Sequence, residues 1–447
     1  MNAAPQQVLC RHFQLLQLLR QSKTMQVFRA RRVVKVCNVR EEVTSNTVIV
    51  KTHAANKCTP RMYQKLLHEF NIGSKVKKST THANSSQCIK YLELFHSQEQ
   101  QVAALIMEDI NGVDLSALVT TQTKITQTGL APPIFLQVAI KITKGLCEIH
   151  KARIIHKDIK PSNIIFNEST GQLKIIDFGS ATSEDEEDSS FDPMNSTTNK
   201  ELLSFTPAFM SPEQTGKINR TIDTRSDLYS LGATLYQLLC GTPPFTASDT
   251  NGYMYCHLAQ EPISPIQMCS SKSSSLPPLM LSNIIMKLLQ KNADDRYQTC
   301  NGLKCDLENC ARLYALSNYT IIEPFPLGQY DFSERFSMPK KLYCRQYELS
   351  SLQDALDRTL NGSLELVDVR GYSGVGKSSF VNELQKPVAL HDGYFLRGKY
   401  DLLNSKAYSA IADAFSILVS QILSEPCEST IELWKSDIIS AIGLNNC

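Results

Sequence analysis

Eight consecutive residues, Gly371-Tyr372-Ser373-Gly374-Val375-Gly376-Lys377-Ser378, fit the pattern G-x-x-x-x-G-K-[ST] in full. Glycines let main-chain amides close on an anion, the lysine reaches the outer phosphate oxygens and the hydroxyl ligates Mg²⁺. The run is therefore read as a cradle for nucleotide phosphates, with Gly371, Gly374, Gly376, Lys377 and Ser378 as its binding residues. A second set of reactive side chains is dispersed. His156-Lys157-Asp158-Ile159-Lys160-Pro161-Ser162-Asn163 places carboxylate, ammonium and carboxamide within one short run. Asp177-Phe178-Gly179 follows it, and Val48-Ile49-Val50-Lys51 lies far upstream. Each alone is weak evidence, since an isolated Asp-Phe-Gly usually marks a turn. Their order and spacing carry the weight.

Such groups need elements to hold them. β-Branched runs predict strands over residues 32–39 and 43–51, and an amphipathic period predicts a helix over 61–76. From 132 to about 315 the pattern turns helical, over 135–151, 226–240, 282–289 and 302–315. A short apolar strand over 173–176 leads into Asp177. Residues 323–339 contain Pro324, Pro326, Gly328 and Pro339 with little periodicity and read as a linker. Beyond it, a helix over 347–360 and a strand over 364–369 run into the glycine-rich turn, and a helix over 379–385 leaves it. That strand–turn–helix context is what the phosphate cradle requires.

The chain has 447 residues, which predicts two or three domains, and 42% apolar with 20% charged residues is globular composition. A net charge of +2 is too near balance to imply a nucleic-acid or membrane partner, and no motif or aromatic interleaving supports a nucleic-acid one. The 14 cysteines are scattered and no signal segment opens the chain, so reduced thiols and a cytoplasmic location are expected. Cys300, Cys305 and Cys310 lack zinc-site pairing and read as helix-packing residues. No apolar run is long enough to span a bilayer.

Over about residues 12–315 the dispersed blocks resemble a eukaryotic-type protein kinase, and the match continues at Ser211-Pro212-Glu213, Asp227-Leu228-Tyr229-Ser230-Leu231-Gly232 and Asp295-Arg296. The resemblance implies an α+β bilobal kinase fold, with an N-lobe over 1–108, a C-lobe over 109–315 and a linker over 316–340. The start of an α/β P-loop ATPase would follow over 341–447. It implies that Lys51, oriented by Glu69, contacts the ATP phosphates, and that Asp158 serves the acceptor hydroxyl. Lys160 would neutralise the γ-phosphate, and Asn163 and Asp177 would hold Mg²⁺. Glu108 and Ile110 would meet adenine through the backbone, Val27 would cover the nucleotide, and Asp114 would sit near the ribose. Lys160 with Thr206 resembles serine/threonine kinases. Glu213 and Arg296 would form a buried pair, and Asp227 would brace the catalytic loop.

Three departures matter. The three glycine positions of the family's nucleotide loop fall on Arg20, Ser22 and Met25, which weakens one phosphate contact and leaves a signalling scaffold, with Lys377 as its working nucleotide site, as the rival reading. Lys157 stands where most relatives carry Arg. No acidic strand end follows the P-loop before Cys447, so the chain is expected to stop inside that domain. The acidic run 184–188 and residues 1–100, with 16 Lys plus Arg against 5 Asp plus Glu, could attract, although a solvated loop is the favoured reading. The arrangement of both parts is similar to the N-terminal region of large hybrid sensor kinases. The phrases Ser211-Pro212-Glu213-Gln214-Thr215-Gly216, Asp295-Arg296-Tyr297-Gln298-Thr299 and Gly398-Lys399-Tyr400-Asp401 carry that likeness. It implies downstream sensor and histidine kinase domains and a protein substrate.

Overall fold

The computed structural model describes residues 13–22, 24–36, 40–54, 58–79, 86–97, 102–126, 128–184, 206–215, 222–270, 276–318, 321–332, 345–372, 374–391, 393–398, 400, 408–423, 434–436 and 439–440. Of the sequence expectations, residues 37–39 of the first strand, residues 185–188 of the acidic run, Gly216, Pro339, Ser373, Lys399 and Asp401 lie outside this set.

An antiparallel sheet opens the chain, with β1 (Phe13–Gln21), β2 (Met25–Val36), β3 (Arg40–His53), β4 (Tyr91–Ser97) and β5 (Val102–Glu108) in the order β1-β2-β3-β5-β4. β5 lies between two neighbours and is apolar on both faces. Val102, Ala104 and Ile106 join Phe13, Ala30 and Val50 in an outer cluster, while Ala103, Leu105 and Met107 enter the main core. β1 gave no strand signal because two register shifts, between Leu15 and Gln17 and between Leu18 and Arg20, break the two-residue alternation. Its Leu16, Leu18 and Leu19 remain exposed on the sheet edge.

Helix α1 (Pro60–Ser79) starts where the Thr59 hydroxyl accepts the Met62 N–H at 3.3 Å and Pro60 opens the first turn. Its buried stripe is Leu66, Glu69, Ile72 and Val76, at helical spacing, so one carboxylate stands among apolar side chains. The helical block follows, with α2 (Leu115–Thr126), α3 (Pro132–Lys151), α4 (Thr224–Cys240), α5 (Thr250–Leu258), α6 (Pro265–Ser270), α7 (Leu279–Leu288) and α8 (Cys300–Leu316). α4 is buried on nearly every side, starts from an Asp223 carboxylate that accepts the Arg225 N–H, and ends at Gly241 with φ of 78°. Cys300 and Cys310 are buried in α8, as packing residues.

Residues 321–332, inside the expected linker, lie against this block. Ile322 is buried, and Phe325 and Leu327 pack on the core. Farther on, α9 (Gln346–Leu360), α10 (Lys377–Asn382), α11 (Gln385–Leu390) and α12 (Ser409–Leu423) form. The strand expected over 364–369 does not. Leu364 and Leu366 are 101% and 97% exposed, and among the described residues after 340 no strand forms at all. A parallel strand is stabilised by neighbours on both edges and by burial of both faces, and an apolar run without them has nothing to hold it.

Candidate active site

The sheet and the helical block meet at a cleft. Val27 on β2 and Leu105 on β5 lie directly opposite Lys51 on β3, so all three share the face turned to the cleft. Lys51 Nζ donates to Glu69 Oε2 and to Asp177 Oδ1, each at 2.8 Å. Burial opposes the lysine charge, but the Asp177 and Glu69 carboxylates outweigh it and raise the pKa of Lys51 above its ordinary value. The Lys51 ammonium, against the opposing effect of burial, holds the Asp177 carboxyl well below the usual carboxylate range. For Glu69 burial outweighs the attraction of Lys51, and its pKa is raised.

Asp177 has φ of 68°, and the following Phe178 is wholly buried. The Phe178 ring lies edge-on to Tyr91, with centroids 6.2 Å apart, and beside His156 at 4.9 Å. The Tyr91 hydroxyl donates to Glu69 Oε1 at 3.1 Å. Its ring fits because residue 73 is glycine, where a Cβ would stand 2.2 Å from the Tyr91 ring. One packed column thus joins the carboxylate that orients Lys51 to the loop that carries Asp158.

That loop hangs on Asp227. Its fully buried carboxylate accepts the His156 and Lys157 N–H groups, both at 2.8 Å, and Lys157 takes φ of 65°. Asp158 Oδ2 receives Asn163 Nδ2 at 2.8 Å and Lys160 Nζ at 2.7 Å, and Lys160 also donates to Thr206 Oγ1 at 2.6 Å. Acid, lysine, amide and threonine form one network at the mouth of the cleft. Asn163 Oδ1 is buried with no hydrogen-bond partner among the described residues. An orphaned amide oxygen in the same cleft as the Asp177 carboxylate suits a hard cation such as Mg²⁺, whose remaining ligands would be phosphate oxygens and water. Among the described residues no group of three or more His, Cys, Asp or Glu is placed to hold a metal ion.

The expected adenine and ribose positions are more heavily engaged. The Glu108 carboxylate accepts the Lys90 N–H at 2.9 Å and pairs with Lys174 at 3.0 Å, and the Ile110 carbonyl accepts Asn167 Nδ2 at 2.7 Å. Asp114 Oδ1 accepts the Ala117 N–H at 2.9 Å and so caps α2. Between β1 and β2, the Ser22 hydroxyl accepts the N–H groups of Thr24 at 3.3 Å and Met25 at 3.0 Å. Amides that a glycine loop would offer to phosphate are bound within the turn.

The segment ending the cleft is held from below. Arg296 Nη1 and Nη2 meet Glu213 Oε1 and Oε2 at 2.7 and 3.0 Å, both side chains buried. Burial alone would raise the Glu213 pKa, but the guanidinium outweighs it and the shift is downward. Gln214 joins this segment to the catalytic loop by donating to the Lys157 carbonyl at 2.7 Å.

The P-loop residues lie far along the chain. Gly374 and Gly376 have φ of 80° and 89°, which favours glycine, and no atom lies within 4 Å of either Cβ position. Lys377 Nζ donates to the carbonyls of Gly371 and Tyr372, at 2.7 and 2.8 Å, inside its own loop. Ser378 follows in the first turn of α10 and is exposed.

Residues 32–306, more than half of the chain, match the protein kinase domain family. The chain belongs to the protein kinase family. Residues 341–444 match the AAA ATPase domain family, so an ATPase domain follows the kinase domain. The chain is 38% identical over 257 residues to hybrid signal transduction histidine kinase G of Dictyostelium discoideum, covering 53% of this chain and 7% of that protein. It is 34% identical over 207 residues to serine/threonine-protein kinase PknB of Mycolicibacterium smegmatis, and 33% identical over 207 residues to PknB of Mycobacterium leprae. Each match covers 45% of this chain and 29% of the relative. The chain thus spans less than a third of the length of these curated relatives.

Several kinase-domain residues escaped the sequence reading. Tyr91 and Gly73 are meaningful only as a pair across two elements. Arg29 pairs with the nearly buried Asp109 at 2.7 Å, tying β2 to the segment after β5.

Proposed function

We propose that this chain transfers the γ-phosphoryl group of ATP to serine or threonine hydroxyls of a protein substrate. The observation that carries this reading is the closed set of contacts in which Lys51 meets Glu69 and Asp177 at 2.8 Å while Lys160 bridges Asp158 and Thr206. Lys51 would hold the α- and β-phosphates, oriented by Glu69. Lys160 would neutralise the γ-phosphate, and the Asp158 carboxylate would align the acceptor hydroxyl and receive its proton. Asn163 and Asp177 would hold Mg²⁺, which when bound neutralises charge on the triphosphate. Val27 and the backbone of Glu108 and Ile110 would enclose adenine, with Asp114 near the ribose. Full-length protein with γ-labelled ATP, Mg²⁺ and a general Ser/Thr acceptor should label the acceptor, and Asp158→Asn should not. Equal labelling by parent and variant would reject the assignment.

A second reading has one observation in its favour. The Ser22 hydroxyl occupies the amides of the β1–β2 turn, as would suit a scaffold whose nucleotide is held at Gly371, Gly374, Gly376, Lys377 and Ser378. Nucleotide binding lost in Lys377→Ala but kept in Lys51→Met would favour it. The names of the relatives support a place in signal transduction, with sensor and histidine kinase domains downstream. Among the described residues no helix is long and apolar enough to cross a membrane, and a cytoplasmic location remains our proposal with the domain boundaries at 108, 315 and 340.

A further inference from the structure

The segment leading out of the kinase domain is built into it. Asp331 Oδ2 accepts the Gln298 N–H at 2.6 Å, and Oδ1 accepts the Thr299 N–H at 2.9 Å and the Thr299 hydroxyl at 2.7 Å. The Thr299 hydroxyl in turn accepts the Gly302 N–H at 3.0 Å and starts α8. Residue 302 must be small, since a Cβ there would stand 2.5 Å from Asp331. Three residues earlier, the Gly328 N–H donates to Asp306 Oδ2 at 2.8 Å, which also takes the Tyr297 hydroxyl at 2.6 Å. A passing linker would not place a carboxylate on three donors.

The contacts continue inward. Cys300, next to Thr299, has its sulphur 3.1 Å from His150 Nδ1, and His150 Nε2 lies 2.9 Å from Asp227 Oδ2. The Asp227 carboxylate only accepts, so His150 Nε2 donates to it, and the imidazole joins Asp227 to the Cys300 sulphur at Nδ1. Burial pushes the Cys300 thiol well up, which keeps its proton on the sulphur. Cys300, His150 and Asp227 resemble a nucleophilic triad, yet Cys300 is 4% and Asp227 0% exposed, leaving no room for a substrate. Their use is to hold what Asp227 holds, the His156 and Lys157 amides and the left-handed turn just before Asp158.

We infer that Asp331 is a positioning residue for the catalytic loop, acting through Thr299, Cys300, His150 and Asp227, so that the segment joining the kinase domain to the ATPase domain controls phosphoryl transfer. The ATPase match begins at residue 341, within ten residues of Asp331. The two are therefore joined by a tether that spans at most about 36 Å. The catalytic consequence rests on the proposed kinase activity, whereas the mechanical link does not.

The test compares full-length parent, Asp331→Ala and Cys300→Val by hydrogen exchange and by kinetics. Asp331→Ala should speed exchange at the Gln298 and Thr299 amides and, by about tenfold, in residues 154–160, with the interior of α4 still protected. Cys300→Val, nearly equal in shape, should speed 154–160 alone. In both variants kcat should fall about tenfold with the KM values for ATP and acceptor unchanged, and the double variant should be no worse than Asp331→Ala. Should Asp331→Ala fail to fold, Asp331→Asn and Cys300→Val carry the same comparison. Unchanged exchange in 154–160 once Gln298 and Thr299 are released would overturn the inference, as would additive losses in the double variant. If the parent transfers no phosphoryl group, the proposed function fails and the exchange data still decide the link.

Discussion

The cleft around Lys51 and the loop around Lys377 are each built around a lysine that we propose meets nucleotide phosphate, and they are held in opposite ways. Lys51 depends on residues drawn from β3, α1, the Asp177 turn and the catalytic loop, locked by buried contacts such as Phe178 against Tyr91 and His156. Lys377 depends on eight adjacent residues, with Leu364 and Leu366 before them in solvent and its ammonium turned onto its own loop carbonyls. A motif that is local in sequence needs little tertiary help to take its shape. It needs a great deal to become a site, because preorganised charge is effective only where surrounding packing excludes water and fixes distances.

The strongest test of this contrast is Asp158→Asn, expected to lower phosphoryl transfer by roughly 10²–10⁴-fold in a radiolabel assay while leaving nucleotide binding at the P-loop intact. Loss of both together would erase the distinction between the regions. Next is Arg296→Met, which strands the buried Glu213 carboxylate and should cost the kinase domain about 3–5 kcal/mol in urea unfolding. Any transition belonging to the P-loop region should not move.

A smaller effect is set by pH. Burial, with the nearby Lys291 charge, pushes the pKa of His257 from 6.5 down to about 3, so the folded kinase domain keeps it neutral. Its contribution is fully present above pH 6.5 in the unfolded-state sense and is lost as pH falls from there toward 3, because the unfolded chain gains a proton that the fold refuses. Unfolding free energies from denaturant titrations should therefore drop by up to about 1.4 kcal/mol per pH unit below the unfolded value, and His257→Gln should flatten that slope. The least change is expected from Ser22→Gly. Freeing the Thr24 and Met25 amides should lower the KM for ATP about threefold with kcat unchanged, and an unchanged KM would show that the turn takes no part in phosphate binding.

The bilobal kinase fold was legible because its diagnostic residues recur in a fixed order, and the helices were legible because α1, α3, α4 and α8 keep apolar stripes at helical spacing. β1 was not, since its two register shifts destroy alternation. The run 364–369 read as a strand and is none, since strand formation belongs to a pair of segments and not to one. The segment read as a linker, although Asp331 and Ile322 bind it to the helical block, because nothing in a proline-containing run announces which distant amides the Asp331 carboxylate will meet.

By itself the sequence determined the chemistry on offer: which side chains exist, their order, and a P-loop with glycines at 374 and 376, where the chain takes left-handed turns. Tertiary structure alone decided what that chemistry becomes. It brought Lys51 onto Glu69 and Asp177, joined Asn163, Asp158, Lys160 and Thr206 in a second network, and gave Gly73 to Tyr91. It also set Asp331 at the far end of a hydrogen-bonded path to the catalytic loop. Local steric preference is written residue by residue, whereas burial, distance and the pairing of donors with acceptors are properties of contacts between segments far apart in the chain.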